Sequence, residues 1–191
     1  MNDLNRCLTA ADFENPSILL SGSVDYAMYQ DFRAKLDKSP KEGIVIVELS
    51  TLGGDPEVAR MMGEDVRYHS DLYAERRFVF LGKAAIYSAG TTFMSFFVRE
   101  NRYLTRGTRL MVHERQLTKT VELNGPLTRC IANVRAVLNE IESSIEIQEE
   151  GFRNLIAGSS VDFDEVRRRA SENWYIEAND AVSLGLVSAV I

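Results

Sequence analysis

Histidine is nearly absent from this sequence: His69 and His113 are the only two, so serine–histidine chemistry has few choices of base. Cysteine is as scarce. Cys7 and Cys130 give neither a disulfide framework nor the spacing of a metal site, and a reduced, cytoplasmic setting without metal or cofactor is expected. Long apolar runs are missing, none approaching the ~18 residues that span a bilayer, so no membrane partner is expected. The opening MNDLNRCLTAADFENP lacks the basic and apolar regions of a secretory signal. A basic excess is missing too. Lysine and arginine total 22 against 28 acidic residues, a net charge of -6, which argues against nucleic acid. The run Arg167-Arg168-Arg169 reads as a solvated helix face. With no repeats, low-complexity tracts or linker-like stretches, a single domain over 1–191 is expected.

What is present alternates between strand and helix. Ile18-Leu19-Leu20 reads as a short strand, and Tyr29, Phe32 and Leu36 recur at helical spacing over 25–37. GIVIVEL, Gly43 to Leu49, is apolar on both faces, as in a parallel sheet covered by helices. Gly53-Gly54 breaks it, and Pro56 suits the first turn of a helix reaching about Tyr68. FVFL (Phe78 to Leu81) repeats the strand, followed by a glycine-punctuated turn and a helix from Ser88 to about Val98. TRLMV (Thr108 to Val112) is another strand. Beyond Pro126, Leu127, Ile131, Val134, Leu138, Ile141 and Ile145 form an apolar stripe on a helix extending towards Gly158. At ~30 residues and ~45 Å, that helix exceeds the diameter of a small domain, so part of it is expected to project and meet another subunit. Short helices over 161–169 and 180–184 and a closing strand over 186–191 complete an α/β chain.

Ser88 follows a strand at the expected N-terminus of a helix, where a hydroxyl serves as a cap or as a nucleophile; local sequence leaves both open. His113 ends a strand, where functional groups of α/β proteins concentrate. His69, in Arg67-Tyr68-His69-Ser70-Asp71, reads as a surface residue. Acyl transfer also needs backbone N–H donors for the developing oxyanion. Gly53-Gly54 and Ala89-Gly90 are the two places able to offer them. The G-x-S-x-G elbow is not matched, because Ile86 stands at its first glycine.

Five segments stand in order: ILLSGSV (Ile18 to Val24), STLGGD (Ser50 to Asp55), AAIYSAGT (Ala84 to Thr91), RYLTRGTRLMVHE (Arg102 to Glu114) and EANDAVSLGLVSAVI (Glu177 to Ile191). Together they resemble the proteolytic subunit of the Clp protease, within the crotonase-like superfamily. The resemblance implies a crotonase-like, ClpP-type α/β fold, a repeated β-β-α superhelix with a projecting handle over about 115–158. It implies Ser88 as nucleophile, His113 as base, and the N–H groups of Gly54 and Ala89 as oxyanion hole. The expected substrate is a peptide or unfolded protein, and the expected assembly is a homo-oligomeric ring. Residues 1–16 form a segment short for the family's axial loop, which leaves an ATPase unfoldase partner open.

Besides that short N-terminal segment, this chain departs from the family in two places. Counted back from GLV (Gly185 to Val187), the family's third catalytic position falls on Arg169; Asp164, Glu165, Glu172 and Asn173 lie nearby, and Glu172 is the preferred orienter of His113. Gly82 also stands six residues before Ser88, against the family's usual four, and Tyr87 replaces a small residue. Lys83 and Lys119 are alternative bases by analogy with serine–lysine relatives. The competing readings are a catalytically inactive subunit and a crotonase-type enzyme acting on acyl-CoA thioesters.

Overall fold

The β-branched run GIVIVEL forms the centre of the sheet in the computed structural model, which describes residue 4 and residues 6–191. Residues 1–3 and 5 of the expected N-terminal segment lie outside the described residues. Strand β2 (Gly43–Thr51) buries five consecutive residues from Val45 to Leu49, as a strand covered on both faces must. It lies between β1 (Ile18–Ser21) and β3 (Arg76–Tyr87), both parallel to it. Beyond β3 come β4 (Arg102–Leu104) and β7 (Ala189–Val190), also parallel. Helix α1 (Tyr26–Lys38), capped by the Asp25 carboxylate, links β1 to β2. Helix α2 (Pro56–Leu72) has Pro56 at its start and Asp55 as its cap, and links β2 to β3.

The turn expected after FVFL is instead more strand. β3 continues to Tyr87, with Ala84 at a φ of 59° marking an irregularity that takes up the residues between Gly82 and Ser88. The strand changes neighbours across it. Phe80 to Gly82 pair with β4, whereas Ala85 to Tyr87 pair with β5 (Arg109–Val112), which pairs antiparallel with β6 (Trp174–Glu177). The helix expected to reach Val98 also stops early. Helix α3 spans Ala89–Met94, and the chain then turns so that Phe93 and Phe97 meet edge-on at 5.3 Å, with Phe97 5.3 Å from Phe80.

Helix α4 (Leu127–Ile156) has the expected length, and the stripe from Leu127 to Ile145 is exposed along it; only Phe152 and Leu155, near its C-terminus, are buried. The helix projects. Helices α5 (Phe163–Ala170) and α6 (Ala178–Ser183) flank β6. The main core fills the space between sheet and helices. On the other face Phe13, from a short 3-10 helix over Ala10–Phe13, packs with Ile46, Val79, Leu81 and Tyr103. No helix among the described residues is long and apolar enough to cross a membrane.

His69 is buried rather than at the surface, because the guanidinium of Arg76 is buried beside it and needs acceptors. Arg76 has its Nη1 3.0 Å from His69 Nδ1 and donates through Nη2 to Ser39 Oγ at 2.5 Å, while the Tyr73 ring stacks on the imidazole at 5.8 Å. Burial and the Arg76 charge hold the His69 pKa below its ordinary 6.5. The unfolded chain therefore takes up a proton as pH falls through about 6.5 while folded His69 does not, so this cluster's stabilisation is present above that pH and is lost below it. The melting-temperature advantage of the wild type over His69→Gln is expected to shrink between pH 7.5 and pH 5.

Candidate active site

Ser88 stands where β3 gives way to α3, in a conformation that L residues rarely adopt, with φ 54° and ψ -114°. Surrounding bonds hold it there. Its N–H donates to the Met111 carbonyl at 2.9 Å, and its carbonyl accepts from Thr91 N at 2.9 Å, Thr92 N at 3.1 Å and Thr91 Oγ1 at 2.7 Å. Although Ser88 occupies the cap position of α3, its hydroxyl makes no cap hydrogen bond. The hydroxyl Oγ instead lies 2.6 Å from His113 Nε2. The pairing of Tyr87 with Met111 across β3 and β5 leaves Ser88 and His113 just past the ends of neighbouring strands, and the chain brings together groups 25 residues apart. Of the two alternatives that local sequence left open for Ser88, the structure shows no cap.

The glycine pair packs directly behind this contact. A Cβ on Gly53, whose φ is 114°, would lie 2.9 Å from Ser88 Cβ. A Cβ on Gly54, at φ 149°, would run into the Val24 backbone, to which this turn is tied through Val24 N donating to Gly53 O and Asp55 N to Val24 O. Only glycine fits both positions. Thr51, which sequence reasoning passed over, supports the turn: its Oγ1 accepts from Gly53 N at 3.0 Å. Ala89 begins α3, so its N–H has no acceptor within the helix. Gly54, Ser88, Ala89 and His113 line one cavity of about 520 Å³, with apolar side chains of α4, Ile141 and Ile145, on its far wall. The alternative bases stand elsewhere. Lys83 pairs with Glu48 at 2.9 Å and Lys119 with Glu140, and neither lines this cavity.

Among the described residues no side chain hydrogen-bonds to His113 Nδ1. Among the described residues no hydrogen bond joins Glu172 to His113; Glu172 is exposed in the turn after α5. Arg169 does not occupy the position beside the imidazole either. Its guanidinium pairs with Glu165 at 2.7 Å and lies 5.0 Å from the centre of the Trp174 ring. The last pair of β5 and β6 is Val112 with Trp174; His113 follows Val112, and Asn173, at φ 58°, precedes Trp174.

No family model matches the chain, and no curated protein does either. Among solved structures it is similar to an asparagine-to-aspartate mutant of ClpP1 from Listeria monocytogenes, with a TM-score of 0.70 at 16% sequence identity. The match covers 91% of this chain and 90% of that one. The fold is therefore of the ClpP type, α/β with a mostly parallel sheet and a projecting long helix.

Proposed function

We propose that the protein is a serine peptidase of the Clp proteolytic-subunit type that cleaves peptides or unfolded proteins. The observation that carries this reading is the 2.6 Å contact of Ser88 Oγ with His113 Nε2 at the wall of a cavity shared with Gly54 and Ala89. In the proposed reaction His113 Nε2 takes the Ser88 proton as Oγ bonds to the scissile carbonyl carbon. The N–H groups of Gly54 and Ala89 receive the oxyanion. Collapse breaks the C–N bond, and His113 delivers its proton to the departing amine. Water, deprotonated by His113, then cleaves the ester and returns Ser88. Asn173 and Glu172 are the side chains of the turn before β6 able to accept from His113 Nδ1.

Digestion of an unfolded protein such as reduced casein tests the reading. Wild type is expected to release peptides and Ser88→Ala none; equal release by both would exclude Ser88 as the nucleophile. A second reading, a catalytically inactive subunit of an assembly, draws on one observation: among the described residues no hydrogen bond reaches His113 Nδ1. Under that reading neither protein digests the substrate, although both assemble.

Assembly into a homo-oligomeric ring is proposed from the exposed α4 stripe, where Leu127 is 81% exposed and Ile131, Val134 and Leu138 are about half exposed. A 30-residue helix does not leave such a stripe to water without cost. Light scattering on wild type is expected to give a multiple of the 21.5 kDa chain, and Ile131→Glu with Leu138→Glu a smaller species. A wild-type monomer would reject the proposal. A cytoplasmic location is proposed on the two free cysteines, Cys7 and Cys130, and an ATPase partner stays open.

A further inference from the structure

His113 begins a long irregular stretch. After Val112 the chain runs from residue 113 to residue 126 without helix or strand. Nothing in the backbone of that stretch fixes the imidazole, so cross-links must. Ion pairs and hydrogen bonds tie the segment at Arg115 and Lys119. The Arg115 N–H donates to Gln148 Oε1 of α4 at 2.6 Å. Its guanidinium pairs with Glu57, in the first turn of α2, and only a fifth of the Arg115 side chain is exposed. Glu57 is itself fixed: its second oxygen takes Arg60 at 2.7 Å, and its N–H donates to the Asp55 cap. Burial raises the Glu57 pKa, but the bonds to Arg115 and Arg60 outweigh it and hold the carboxyl below its ordinary value.

The placement of these groups matters more than their number. Glu57 follows Gly54 by three residues and Arg115 follows His113 by two, and all four line the cavity that holds Ser88. The pair thus joins the turn that presents the glycine N–H groups to the strand end that presents the imidazole. Gln148 adds the third wall, α4. We propose that Arg115 is a positioning residue: through Glu57 and Gln148 it sets His113 in register with Ser88 and with the Gly54 turn. This role rests on the reading of Ser88 and His113 as a reacting pair. A shift of about 1 Å between reacting groups costs roughly 10²-fold in rate, so a link of this kind acts on reactivity out of proportion to its contribution to folding.

The test compares wild type, Arg115→Met, Arg115→Lys, Glu57→Gln and the double variant Glu57→Gln/Arg115→Met. Three readouts are taken: the rate of Ser88 labelling by a fluorophosphonate, the melting temperature, and deuterium exchange at the C2 position of His113 by mass spectrometry. With only two histidines, the His69 exchange rate serves as internal control. Arg115→Met is expected to label roughly 10- to 100-fold more slowly. Its melting temperature should stay near wild type, and exchange at His113, not His69, should change. Arg115→Lys keeps the charge and is expected to recover most of the rate. The double variant is expected to be no slower than Arg115→Met, since both changes break one link. A wild-type labelling rate in Arg115→Met overturns the proposal, as does a slow rate that merely tracks a fall in melting temperature. If wild type itself takes no label, the reacting-pair reading fails, and His113 exchange then decides the positioning role: unchanged exchange in Arg115→Met overturns it.

Discussion

Alanine at His113 is expected to slow casein or peptide hydrolysis by roughly 10³-fold while the chain remains folded. The imidazole is half-buried at a strand end, and among the described residues its side chain has one hydrogen-bond partner, the Ser88 hydroxyl. Its removal therefore leaves the core, the sheet and the buried arginines untouched. In the proposed reaction what is lost is the acceptor for the Ser88 proton, and an unassisted hydroxyl is a poor nucleophile near neutral pH. The glycine turn and Ala89 remain in place, so residual rate above background belongs to oxyanion binding. Hydrolysis measured beside circular dichroism checks this. Wild-type hydrolysis by His113→Ala would move the base elsewhere, and loss of the helical signal would make the residue structural.

Replacing Arg102 by methionine is expected to destabilise the protein by roughly 4 kcal/mol or more, a large part of a typical domain's stability. Arg102 is 2% exposed, and burial pushes its pKa down to about 10. Its five N–H donors all reach backbone carbonyls: Phe97, Leu155, Leu186, Ser95 and Asn154, at 2.8 to 3.2 Å. Those carbonyls come from the end of α3, the end of α4 and the approach to β7, so one guanidinium joins three elements that share no strand pairing. Methionine fills the volume but leaves five buried acceptors without donors. Lysine offers three donors for five carbonyls and is expected to rescue only partly. A shift of this size lowers the melting temperature by roughly 10 °C in a chain of this length. Because Asn154 and Leu155 line the cavity as well, the α4 wall is expected to loosen first. An unchanged melting curve for Arg102→Met would refute the account.

The alternation of apolar strands and helices was legible in the sequence because β2 and α4 are long and strongly patterned. β4, three residues long, falls below the length at which periodicity shows. Arg102 and His69 escaped for another reason: a charged or polar residue reads as exposed unless its partners are known, and theirs come from distant segments. Within the site, Ser88 and His113 were legible one by one, whereas their contact depends on β3 changing neighbours at Ala84. For the orienter of His113 a count along the chain reached Arg169 and the nearby Glu172, whereas the neighbours of a strand end are set by the pairing of β5 with β6, which the sequence does not display. The Glu57–Arg115 link, 58 residues apart, leaves no local trace.

Reaction of the intact protein with a fluorophosphonate, followed by mass mapping of the modified peptide, tests the central claim most directly. The account predicts one adduct, on Ser88, formed in wild type and lost in His113→Ala. No adduct on Ser88, under conditions that fully modify a serine peptidase run alongside, would contradict it.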